Sequence, residues 1–174
     1  MREYQTDAAL SIHQASVPVF VRALNVLSAE IAKGAAHAAE RGFDPAVLVN
    51  ARLFPDMLPL SGQVQRASDG SKFAAERLSG VKSPRFDDVE KTFPELEKRI
   101  RDTIAYLEGI DPAAFAGSES KTIEISSGTF TGRNYLLHFA LPNFFFHIAT
   151  VHAILRHNGV NVGKLDYLGP YAGE

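Results

Sequence analysis

Two stretches of this chain repeat apolar side chains at alternating steps of three and four, a pattern that admits little besides long helices packed lengthwise. In the first, Leu10, His13, Val17, Phe20, Leu24, Leu27 and Ile31 form one seam within residues 6–41. In the second, Met57, Leu60, Val64, Ala67, Ser71, Ala74 and Leu78 do the same over residues 55–80. The small residues of this seam predict close helix approach or a cavity, because Ala and Ser fill less volume than Leu. Pro18 interrupts the hydrogen-bond ladder of the first helix and predicts a kink.

Two further segments carry helical periodicity. One covers residues 87–108 through Val89, Phe93, Leu96, Ile100 and Leu107, with Asp87, Asp88 and Glu90 at the end where the helix dipole favours anions. The other is aromatic and covers residues 141–159. Its C-terminus is marked by the basic Arg156 and His157, then by Asn158 and Gly159, which take the left-handed conformation that stops a helix. Four such helices predict an all-α four-helix bundle. Between the third and fourth, Thr122 to Ile125 alternate in polarity, Ser127-Gly128 reads as a turn, and Thr129-Phe130-Thr131 follows; a small β-hairpin is expected there. The tail over residues 160–171 has no helical period and reads as an ordered extension. No repeat or linker divides the chain, so residues 1–174 read as one domain.

Composition narrows the function. The 18 basic and 20 acidic residues form no basic stripe, which argues against a nucleic-acid partner. Cys is absent, which removes thiol nucleophiles and zinc-thiolate sites and suits a reducing cytoplasm. The polar start does not read as a signal peptide. The most apolar window, residues 139–155, holds Pro142, Asn143, His147 and His152 and is shorter than the ~20 residues a bilayer needs. A cytoplasmic protein without a membrane partner is expected. Phe144, Phe145 and Phe146 point around the fourth helix, and a helix apolar on so many sides invites a second subunit, so a homodimer is expected.

Asn143 and His147 stand one turn apart on a common face, where a bundle places ligands for a metal or a small molecule. His13 occupies a seam position and reads either as a buried neutral imidazole or as a pocket residue. His152 lies some 140° around the helix from His147 at 3.6 residues per turn, too far to share an ion, and reads as structural. His37 and His157 read as solvated or capping residues, and His138 as locally hydrogen-bonded. The chain lacks His-Glu-Xaa-Xaa-His, a Gly-Lys-Ser/Thr phosphate loop, Gly-Xaa-Gly-Xaa-Xaa-Gly, Gly-Xaa-Ser-Xaa-Gly and the Glu-Xaa-Xaa-His of di-iron bundles.

Three blocks together resemble a known family: Pro55-Asp56-Met57-Xaa-Pro59-Leu60-Xaa-Xaa-Gln63-Val64, Pro142-Asn143-Phe144-Phe145-Phe146-His147, and Leu155-Arg156-His157-Asn158-Gly159-Val160-Xaa-Xaa-Gly163-Lys164-Xaa-Asp166. They are similar to an uncharacterised bacterial and fungal family of unknown function within the DinB/YfiT-like superfamily. The resemblance spans essentially the whole chain. It implies an up-down-down-up bundle, often dimeric. In related members it also implies a divalent metal such as zinc or nickel held by three His, and activities that include thiol-dependent transfer. Carried onto this chain, the fourth-helix pair falls on Asn143 and His147 and the second-helix position near Gln63. One imidazole and two carboxamides bind zinc or nickel less tightly than three imidazoles. Three readings follow: a metal-dependent enzyme with a degraded ligand set of His147, Asn143 and Gln63, joined by His13 in the pocket; a bundle that binds a small ligand without metal or catalysis; or a dimeric structural bundle in which Asn143, His147 and Gln63 form a closed hydrogen-bond network that only fixes helix register.

Overall fold

The computed structural model describes residues 10–170. The polar start of the chain and Tyr171 lie outside the described residues. Helix α1, Ile12–Arg41, starts later than the periodicity suggests, because Ser11 caps it. The Ser11 hydroxyl accepts from the Gln14 backbone while the Gln14 amide accepts from the Ser11 N–H, a reciprocal cap. Leu10 is left outside the helix, 73% exposed and no part of the seam. Pro18 lies inside α1 on its exposed face and leaves the Gln14 carbonyl without its usual donor. Gly42 ends the helix at φ 68°, a left-handed cap.

After a single turn, α2 (Ala46–Val49), helix α3 runs over Leu60–Ser79. It starts after Pro59, so Met57 belongs to the preceding turn, while Val64, Ala67, Ser71, Ala74 and Leu78 are buried as the small-residue seam requires. Helix α4, Phe93–Glu108, corrects the expected start at residue 87. Thr92 and Glu95 form its capping box, with Pro94 in the first turn where a missing N–H costs nothing. Asp87, Asp88 and Glu90 belong to the connection instead, and Val89 is 68% exposed.

Side-chain partners define the course of the helices. Gln63 meets His147 and Arg77 meets Tyr135, so α3 runs antiparallel to α6, Leu141–His157. Ser68 meets Thr103 and the Val81 carbonyl meets Tyr106, so α3 and α4 are parallel. Phe20 packs edge-on to Phe144 and Glu30 bonds His152, so α1 and α6 are parallel. The bundle is therefore up-down-down-up. With α4 beginning at Phe93, residues 80–92 reach up to roughly 43 Å at ~3.3 Å per residue, enough to return along the roughly 30 Å of a 20-residue helix.

Arg99 of α4 pins that long return. Its side chain is 1% exposed and pairs with Asp88, Glu90 and Asp69, while its Nε donates to Ser68. Lys72, equally buried, holds Asp69 at 3.2 Å, donates to the Pro84 carbonyl and lies over the Phe86 ring.

Strands β1, Thr122–Ile125, and β2, Gly128–Thr131, pair antiparallel with Thr122 opposite Thr131, forming the expected hairpin. Ile123 is buried, and Phe130 packs toward Tyr135 and Phe139. The aromatic helix begins earlier than residue 141: a short α5, Gly132–Asn134, leads into a π-helical stretch, Tyr135–Ala140, and then into α6. In a regular helix the Pro142 ring would strike the His138 carbonyl, and the wider π turns directly before it relieve that clash. Gly132 sits against the Ser118 carbonyl, where an added Cβ would come within 1.8 Å. The combined helix of 26 residues and α1 are each long and apolar enough to cross a membrane by length and composition; half of the most apolar window of α1, and a third of the other, is buried inside the bundle. The tail also departs from expectation, for it contains a short helix, α7, Lys164–Leu168, held to α1 by Lys33 and Asp166 at 2.6 Å.

Candidate functional site

His147 projects from α6 toward α3, and its Nδ1 lies 2.7 Å from Oε1 of Gln63. Gln63 is 2% exposed, and its Nε2 donates to the Leu58 carbonyl at 3.2 Å. A carbonyl can only accept, so the amide nitrogen must face Leu58 and the amide oxygen must face the imidazole. The proton of a neutral imidazole then sits on Nδ1, and Nε2 keeps its lone pair. Burial holds the His147 pKa below its usual value, and the nearby Arg66 guanidinium adds to the effect. The side chain is thus a neutral imidazole of defined tautomer. Its Nε2 has no protein partner and is open to solvent, since Glu30 Oε2 is the unpartnered buried side-chain atom among the described residues.

Asn143, one turn before His147, lines the same pocket of ≈ 200 Å³. Its amide nitrogen lies 3.5 Å from where a Cβ on Gly70 would stand, so this glycine brings α3 close to it. The pocket is a cleft between α3 and α6 rather than a chamber at the bundle axis. The axis is filled by residues such as Phe20, Leu24, Val64 and Phe144, none of them exposed. Arg66, Arg77, Tyr135 and Phe139 complete the walls that matter chemically. None of these four emerged from sequence reasoning. Tyr135 and Phe139 lie on the π turns hidden upstream of Pro142, and Arg77 reads as an ordinary basic residue at a helix end. The continued aromatic spacing before Pro142 was the available signal.

His13 is placed elsewhere. It is half-buried, edge-on to Phe115 at 5.3 Å, and lines a separate apolar pocket between α1 and the end of α4. His152 turns toward α1, its Nδ1 2.5 Å from Glu30 Oε1, as the 140° offset from His147 requires. Glu30 is 1% exposed, and burial raises its pKa against the lowering influence of His152.

The donor chemistry does not fit a tightly held zinc or nickel ion. Among the described residues no group of three or more His, Cys, Asp or Glu converges. The ring nitrogens of His147 point away from each other, so an ion on Nε2 lies out of reach of the amide bonded to Nδ1. That leaves one imidazole and one carboxamide, because the Asp69 carboxylate that also lines the cleft is already held by Arg99, Lys72 and Arg66, and the charges of Arg66 and Arg77 repel a cation.

Fold course, hairpin and cleft together define a DinB-like four-helix bundle. A family model described as a domain of unknown function, DUF1993, matches residues 12–168, and the chain belongs to that family. The chain is also similar to a DinB family member protein from Shewanella denitrificans, known from a crystal structure. The two are 39% identical over 94% of each chain, with a TM-score of 0.90. No curated protein matches the chain.

Proposed function

We propose that this DinB-like protein binds a small organic molecule in the α3–α6 cleft without a divalent metal at its centre. The observation that carries this reading is the Gln63 amide, held between the Leu58 carbonyl and His147 Nδ1. It serves as an orienting group for an imidazole whose free nitrogen faces a small pocket. Orientation of that kind suits recognition of a ligand hydrogen-bond donor.

One feature favours an enzymatic version. A neutral, oriented imidazole with a free Nε2 has the form of a general base, able to take a proton from a bound substrate X–H such as a thiol. The setting we propose is a cytoplasmic homodimer without nucleic-acid or membrane partners. Exposed apolar side chains at Phe54, Leu137 and Phe146 support the second copy, and the thiol-free composition suits the compartment.

The reading is tested on untagged protein. Metal analysis is expected to give far less than one zinc or nickel per chain, and neither ion should raise the melting temperature. A fragment screen followed by NMR should yield compounds that shift the His147 and Asn143 signals. Stoichiometric metal that vanishes in His147→Ala while the fold persists would overturn the proposal, as would fragments that bind solely beside His13.

A further inference from the structure

The charges around the cleft are unevenly matched. Asp69 lines it but is shared among Arg99, Lys72 and Arg66. Arg66 pairs with Asp69 and Asp88. Arg77 is different: among the described residues it has no carboxylate partner. The adjacent Glu76 is occupied by the hydroxyl and backbone N–H of Ser83. The half-buried Arg77 guanidinium instead donates from Nη1 to the Tyr135 hydroxyl at 3.0 Å, with its carbon 5.6 Å from the Phe73 ring centre and 5.8 Å from that of Tyr135.

This arrangement is built to receive an anion. The Tyr135 hydroxyl accepts from Arg77, so its own proton remains free to donate, and among the described residues it has no other partner. Burial raises the Tyr135 pKa, which keeps that proton in place. A guanidinium with unused N–H groups beside a phenol O–H matches the two oxygens of a carboxylate, and charge-assisted bonds of this kind are the strong ones. At the other end of the pocket His147 Nε2 can only accept, so the ligand must present a donor there. Along the α3 wall, Arg77 lies seven residues beyond Gly70, the glycine that faces Asn143, or roughly 10 Å of helix. Phe73 and Phe139 supply apolar surface between them. The volume of ≈ 200 Å³ is below the ~300–1,000 Å³ of drug-sized sites.

We propose that the cleft takes a small organic carboxylate, with its anionic end on Arg77 and Tyr135 and a hydroxyl or amine donor on His147 Nε2. This rests on the small-molecule reading above and adds the chemical class. The probes are 4-hydroxybenzoate and its uncharged counterpart 4-hydroxybenzamide, titrated at matched ionic strength and followed by calorimetry and the NMR signals of His147 and Asn143. The acid is expected to shift those signals and to bind ~10-fold or more tightly than the amide. Arg77→Gln should remove that preference and Tyr135→Phe should reduce it, while Arg101→Gln, an exposed arginine on α4 outside the cleft, should leave it unchanged. Circular dichroism confirms that each variant is folded, and Tyr135→Phe keeps the buried ring should Arg77→Gln prove unstable. If acid and amide bind equally at His147, the carboxylate assignment falls and the small-molecule reading stands. If neither reaches His147, the carboxylate assignment falls too, and the fragment screen then decides the small-molecule reading by itself.

Discussion

Replacing Gln63 with Leu keeps roughly the volume of the side chain and removes both of its hydrogen bonds. The variant loses the bond from Gln63 Nε2 to the Leu58 carbonyl and the bond from His147 Nδ1 to Gln63 Oε1. Each is worth ~0.5–1.5 kcal/mol net, and a group left buried without a partner costs ~1–3 kcal/mol more. Leu58 is 41% exposed and His147 half-buried, so water reaches both and the lower end applies. The added apolar surface offsets part of the loss, leaving a destabilisation of ~1–2 kcal/mol. At ~2–4 °C per kcal/mol for a chain of this length, the melting temperature should fall by roughly 2–8 °C. The sharper readout is the imidazole itself. Nitrogen NMR of the wild type above pH 7 should show His147 protonated on Nδ1, and Gln63→Leu should release a mixture of tautomers. A wild-type imidazole carrying its proton on Nε2, or a tautomer ratio indifferent to the substitution, would refute the assignment of donor and acceptor on which the site rests.

The remaining predictions concern the clamp and the proton. Arg99→Met leaves Asp69, Glu90 and Asp88 without their shared guanidinium, although Lys72 and Arg66 still hold Asp69 and the half-exposed Arg66 still reaches Asp88. Breaking a buried pair from one side costs ~3–5 kcal/mol, so urea unfolding should show a loss of that size, with faster hydrogen exchange over residues 80–92. A loss under ~1 kcal/mol would mean that the clamp is not what holds the return. His147 should titrate below its ordinary 6.5 because burial and Arg66 disfavour its charged form. The folded state then binds fewer protons than the unfolded one, so this contribution is complete above pH 6.5 and is lost as pH falls through the depressed folded pKa. Glu30 acts in the opposite sense: its raised pKa gives stability that is complete below 4.5 and lost as pH rises through the folded value. The difference between wild type and His147→Gln isolates the first effect. It should shrink toward acid pH and flatten above 6.5, and a difference independent of pH would show that His147 is not buried as described.

Periodicity, capping and turn chemistry are local, and where they act alone the sequence was legible. The seams of α1 and α3, the hairpin at residues 122–131 and the shared face of Asn143 and His147 could all be read from spacing, because a helix or strand places its side chains by geometry independent of the rest of the chain. Local signals also misled where two competed. Asp87, Asp88 and Glu90 look like the acidic first turn of a helix, yet Thr92 and Glu95 form the stronger cap, and the freed carboxylates serve Arg99. Pro142 reads as a helix start, although π turns carry the helix past it. Sequence could place Gln63 near His147 only through resemblance, and it could not say that the amide would orient the ring rather than share an ion with it. The pairing of Arg77 with Tyr135, separated by 58 residues, and the departure of His13 to another pocket were decided by packing alone. The physical reason is range: backbone hydrogen bonding and capping act within four or five residues, whereas the partner of a side chain across the bundle depends on which helix faces surround it once the core has closed.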